Sequence, residues 1–213
     1  MSLISAARAT PSTPATNNAQ LFQDSADKLW KQIDDGGAVR AVGQNAVTAI
    51  TATSGAISNT ETIIVGGLNN CRIYANSLKV GTTIRATIEG TCTTTVANAS
   101  TWRFRIGTAG TTSDGVVMSA ANSVAGTTGT NIPFEAQLFA TVRAIGASAN
   151  VQGYLKLGST GVTGLSAVTW QVVEGTFTNF DSTVANWLSV TYVSAAATTA
   201  CTFRNAVIEI VKI

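Results

Sequence analysis

The sequence predicts an all-β protein: a jelly-roll-like antiparallel β-sandwich preceded by an extended arm and a small β-hairpin or meander. Three observations carry that reading. Apolar and polar residues alternate with period two over long stretches, the pattern of sheets with one dry and one wet face. Segments rich in Gly, Thr, Ser and Asn separate those stretches, as turns do. No segment after residue 45 shows sustained helical periodicity with helix caps.

Residues 1–19 are small and polar and are interrupted by Pro11 and Pro14. They read as an extended arm without a core of its own. Residues 20–45 read as a small module. Leu21, Phe22, Ala26, Leu29, Trp30 and Ile33 have loosely helical spacing. The competing reading is a meander of QLFQ, KLWKQI and AVRAV, with turns at DSAD and DDGG. Asp34-Asp35-Gly36-Gly37 favours the meander, because Gly accepts positive φ and Asp bonds its own backbone. A ribbon this small is marginal alone and needs something to pack against.

Residues 46–213 read as the sandwich. Ile84, Ala86 and Ile88 alternate with Arg85, Thr87 and Glu89. Trp102, Phe104 and Ile106 alternate with Arg103 and Arg105, which the pattern places on a solvent face. Phe134, Ala136, Leu138, Ala140 and Val142 alternate with Glu135, Gln137, Thr141 and Arg143. Further strands are expected at 61–65, 71–75, 150–157, 168–173, 186–193 and 201–212, with turns at Gly107–Gly115 and Gly158–Gly164. Roughly eight to ten strands at this spacing point to a jelly roll. An immunoglobulin-like domain is disfavoured by the longer strands and by the lack of a Cys–Trp–Cys framework.

Composition narrows the function. Charged residues make up 11% of the 213-residue chain, less than half the usual share, so the surface is rich in Thr, Ser, Asn and Gly or is covered by partners. The net charge of +2 is spread evenly and no basic run exists, which argues against nucleic-acid binding. No apolar run is long enough to cross a membrane, and Met1 to Thr10 makes a poor signal peptide. Cys71, Cys92 and Cys201 have no metal-ligand spacing and read as lone thiols, Cys201 as a buried one. Assembly in a reducing cytoplasm is the expectation that follows.

The chain contains no histidine, so Ser–His–Asp and Cys–His sites are impossible within it. The carboxylates after residue 45 are Glu61, Glu89, Asp114, Glu135, Glu174, Asp181 and Glu209, and they read as solvated surface groups rather than a glycosidase pair. Gly107–Gly115 lacks the Lys and helix of a phosphate loop and resembles a calcium loop only in composition. Trp30, Trp102, Trp170 and Trp187 could stack on sugars, but Trp on alternating strands belongs mostly to the core. No cofactor is expected and the chain does not read as an enzyme.

The stretch TPSTPATNNAQLFQDSADKLWKQIDDGGAVRAV resembles a short module found near the start of phage fibre and other virion proteins. The matching parts are Pro11 and Pro14, Leu21-Phe22, Asp24–Asp27, Lys28-Leu29-Trp30, Asp34–Gly37 and Ala38–Val42. KVGTTIRATIEGTCTT, STWRFRIGTAGT, PFEAQLFATVRAIGASANVQGYLKL and VANWLSVTYVSAAATTACTFRNAVIEIVKI are similar to strand pairs of single-domain jelly rolls of tailed phages. The resemblance implies a virion structural protein, a homotrimer assembled in the host bacterial cytoplasm. Its partners would be the major capsid protein, for a capsid decoration or head-fibre protein, or a tail or baseplate protein, for a receptor-binding fibre. A host surface glycan is a further possible partner. In this reading residues 1–42 attach, with Leu21, Phe22, Leu29, Trp30 and Ile33 as apolar anchors. The alternative is that these residues pack on the chain's own sandwich.

Overall fold

A computed structural model of the chain describes residues 10, 12–15, 19–23, 30–34, 39–41, 46–50, 52–68, 70–94, 99–123, 129–160 and 168–211. Most of the expected arm, the expected turn at 24–27 and residues 35–37 of the expected turn at 34–37 lie outside those residues. The chain divides into two compact units, Met1–Gln44 and Asn45–Ile213.

The first unit is a meander, not a helix. Strands β1 (Ala19–Gln23), β2 (Trp30–Asp34) and β3 (Val39–Ala41) form an antiparallel sheet in chain order. The register pairs Phe22 with Lys31 and Gln20 with Ile33. That places Phe22 and Ile33 on one face and Leu21 on the other, because strand side chains alternate.

The second unit is an antiparallel β-sandwich. Its first sheet has the order β12-β11-β10-β7-β15-β4. These strands are β4 (Ala46–Ala49), β7 (Thr83–Thr94), β10 (Gly129–Ala144), β11 (Asn150–Thr160), β12 (Val168–Glu174) and β15 (Thr199–Val211). The second sheet has the order β13-β9-β8-β14-β5, with β6 also paired to β14. Its strands are β5 (Thr62–Gly66), β6 (Arg72–Ile73), β8 (Ala99–Gly107), β9 (Val116–Ser123), β13 (Thr176–Phe177) and β14 (Asn186–Ser194).

Within these sheets, β4-β15-β7-β10 and β5-β14-β8-β9 reproduce the connectivity of an eight-stranded jelly roll. The chain crosses between sheets from β4 to β5, β6 to β7, β7 to β8, β9 to β10, β12 to β13 and β14 to β15. Strands β11, β12 and β13 are inserted before β14 and widen both sheets beyond β10 and β9. Ala46 pairs with Ile210, so β4 begins beside the end of β15.

The two inner faces form one core. Ile84, Ala86, Ile88, Leu138, Leu155, Leu188, Val190 and Ile208 are among its buried members. At its centre Trp102, Phe134, Tyr192 and Phe203 meet edge to face, with centroids 5.0 to 6.1 Å apart. This geometry suits the ring quadrupoles. The predicted alternations of β7, β8 and β10 all place their apolar members in this core.

Two expectations are corrected here, and one strand had no expectation. Cys92 and Cys201 are not lone thiols: they are direct cross-strand partners on β7 and β15 and form a disulfide. Only Cys71 is free, and it is buried. The inference of a reducing compartment from three thiols therefore loses its premise. Residues 158–160 continue β11 instead of starting a turn; the rest of that turn lies outside the described residues. Strand β9 was not anticipated. The register between β8 and β9 shifts between Phe104 and Arg105, and Val117 and Met118 are both buried, so period two is broken there.

Candidate interaction surfaces and the polar cluster

The five expected anchors divide. Phe22 and Ile33 are buried, at 0% and 3% exposure, while Leu21 is 49% exposed. Leu29 lies outside the described residues, and of Trp30 only the backbone pairing with Gln23 is described. The meander therefore offers Leu21 to solvent and withholds Phe22 and Ile33.

Arg103 and Arg105 were expected on a solvent face. Arg105 is instead buried, at 7% exposure. On adjacent strands β8 and β14, Arg103 pairs with Thr191 and Arg105 with Ser189. Glu61, just before β5, closes the cluster. Arg103 Nη1 donates to Glu61 Oε2 at 2.6 Å, and Arg105 Nε donates to Glu61 Oε1 at 2.9 Å. Thr191 Oγ1 also donates to Glu61 Oε1, and Arg105 Nη1 donates to the Asp114 carbonyl. Both arginines thus fold over the sheet onto one carboxylate.

Burial alone would raise the Glu61 carboxyl above its ordinary value. The hydrogen bonds from Thr191 and Arg105 and the charges of Arg105 and Arg103 outweigh it, and the carboxyl is held below that value. Glu61 is therefore an ionic clasp that ties the entry of β5 to β8 and β14. Its Oε1 accepts from Arg105 and Thr191 and its Oε2 from Arg103, so each oxygen is tied to the sheet. Ser189 Oγ is buried nearby without a hydrogen-bond partner among the described residues, as is Trp102 Nε1 in the core.

Asp114 is also spent on structure. Its carboxylate accepts from the backbone N–H groups of Ala109, Gly110 and Thr111 at 2.9, 2.7 and 3.2 Å. It closes the Gly107–Gly115 turn from inside, which leaves little coordinating capacity for a cation. Among the described residues no cluster of His, Cys, Asp or Glu has metal-site geometry.

Of the tryptophans, Trp102 is core. Trp187 is half-buried beneath the Arg72 guanidinium, 5.6 Å from its ring. The side chains of Trp30 and Trp170 lie outside what is described.

The outer face of the first sheet carries aromatic side chains, among them the exposed Tyr154. Cross-strand pairing sets Glu209, Arg85, Phe139, Tyr154 and Glu174 in one row over β15, β7, β10, β11 and β12. Phe139 and Tyr154 stack at 5.6 Å with 17° between ring planes, and the Arg85 guanidinium lies 5.6 Å from the Phe139 ring. Glu89 and Glu135 oppose each other on the same face, and Gln137 Nε2 donates to Glu135 Oε1 at 2.6 Å. These carboxylates were expected at wet-face positions, which is where the pairing sets them. Nothing in the alternation foretold that the row would be continuous, because it depends on the mutual register of five strands. No protein family, no curated protein and no solved structure matches the chain.

Proposed function

We propose that this chain is a non-enzymatic structural protein displayed on a bacteriophage particle, as a capsid decoration or head-fibre protein. Residues 1–42 attach it and the jelly roll is the displayed body. The observation that carries this reading is the division of the chain into a short meander unit and a separate jelly-roll unit. A ribbon of three short strands gains little stability alone, whereas it suits a role as an attachment device. The exposed Leu21 is its apolar contact. The engaged oxygens of Glu61 and Asp114 agree with a structural role for the polar residues. The resemblance of the sequence to phage virion proteins also supports the reading, and it suggests a homotrimer carried on the virion.

The test is occupancy of particles. Deleting residues 1–42 should leave a folded body that no longer joins the particle, and Leu21→Asp should weaken attachment. Antibody labelling should place the intact protein on the capsid. Labelling on the tail tip would favour a receptor-binding fibre instead. Full occupancy by the truncated chain would overturn the attachment assignment.

A further inference from the structure

We propose that the outer face of the first sheet is a two-fold contact surface for a second copy of this chain. The observation is the row Glu209–Arg85–Phe139–Tyr154–Glu174. Arg85 is a direct cross-strand neighbour of Glu209, yet it forms no ion pair with it. It leans the other way, over Phe139. Arg85, Glu174 and Glu209 are all exposed and take no part in an ion pair among the described residues. Tyr154 is 39% exposed and Val172, one row away, is 62% exposed.

The pattern is self-complementary. A two-fold axis along the strands, midway between β10 and β11, exchanges β10 with β11 and β7 with β12. Each copy's Phe139 then faces the other's Tyr154, and each copy's Arg85 faces the other's Glu174. The same two contacts form twice, as an isologous interface requires. Strands lie about 4.8 Å apart, so each charge pair sits roughly 7 Å from the axis. Aligned sheets cross at about 30°, which displaces such a pair by roughly one residue, within the reach of an arginine. Arg and Tyr are also the side chains that most often dominate interfaces.

The face spanned by β7, β10, β11 and β12 measures roughly 19 by 27 Å, or about 500 Å² per copy in projection. That is at the low end for specific contacts, so the association is weak between free molecules. Copies held side by side on a surface meet at millimolar effective concentration, where a weak contact closes. The contact does not depend on the virion reading or on a three-fold assembly. A chain that already forms trimers would pair them into hexamers.

The experiment is sedimentation of the full chain from about 1 to 500 µM, with Arg85→Glu, Glu174→Arg and the double variant beside it. Mass should double with concentration in the wild type. Each single reversal should weaken the doubling by about tenfold or more, and the double variant should restore it. Both residues are exposed on strands, and matching thermal unfolding of all four proteins confirms that they fold alike. Three outcomes overturn the proposal: no doubling in the wild type, single reversals that associate like the wild type, or a double variant no better than the singles. Glycan binding that is lost in Tyr154→Ala, with no mass doubling, would also overturn it and make the face a sugar surface. Loss of particle attachment on deleting residues 1–42 would not bear on it.

Discussion

Reducing the Cys92–Cys201 disulfide should cost the second unit a large part of its stability. The bond closes a loop across a sequence separation of 109. Loop-closure entropy scales with the logarithm of that length. For a separation of 109 the unfolded chain loses about 16 cal/mol/K, or about 4.8 kcal/mol at 25 °C. Residual structure in the unfolded chain lowers the effect, so we expect a loss of about 3–5 kcal/mol. Urea unfolding followed by tryptophan fluorescence, with and without a phosphine reductant, measures it. Reduction keeps both sulfurs in the core and so isolates the loop term. Cys92→Ala/Cys201→Ala removes the sulfurs too and should cost about 1–2 kcal/mol more. A change under about 1 kcal/mol on reduction would refute the reasoning. So would three free thiols in protein unfolded without reductant.

Further outcomes follow from single sites. Glu61 is held below its ordinary value of 4.5, so its ionic clasp contributes stability above that pH and loses it as pH falls through the depressed value. Urea melts at about pH 6 and pH 3 should show a larger acid loss in the wild type than in Glu61→Gln, and an equal loss would contradict the clasp. A Cβ at Gly153 would collide with the Phe139 carbonyl across β10 and β11. Gly153→Ala should destabilise by about 3 kcal/mol or prevent folding, and a wild-type unfolding midpoint would show the strands are not paired this way. Burial pushes the Cys71 thiol up to about 12, so it should resist a thiol-labelling reagent at about pH 8 until the chain unfolds. Rapid labelling of the native protein would place Cys71 at the surface instead.

How much of this was legible in the sequence depends on whether the feature is local. Alternation in β7, β8 and β10 is a property of consecutive residues, and it named their core side chains. The Asp-Gly signal in the sequence at 34–37 favoured the meander over the helix for the same reason. Strand β9 escaped because the irregular register beside Arg105 removed its alternation. Arg105 was placed on the right face of β8, but its burial depends on Glu61, 44 residues away, and on the turn held by Asp114. The disulfide depends on the pairing of β7 with β15, which no local pattern encodes. The anchors of the first unit were chosen for being apolar. That criterion cannot separate Leu21, which is exposed, from Phe22, which is buried.

The pairing of Ala46 with Ile210 gives the sandwich a polarity useful for engineering. The chain enters the jelly roll and finishes its last strand at the same end. A peptide or fluorescent domain fused after β15 would therefore emerge beside the entry strand β4. The turn between β14 and β15 lies at the opposite end of β15, and residues 195, 197 and 198 in it are exposed. An epitope inserted there is carried away from the entry point. Loops of this kind accept insertions at low cost, because closure entropy grows slowly with length. For use as a scaffold, that turn is the position at the end of β15 away from the entry strand β4.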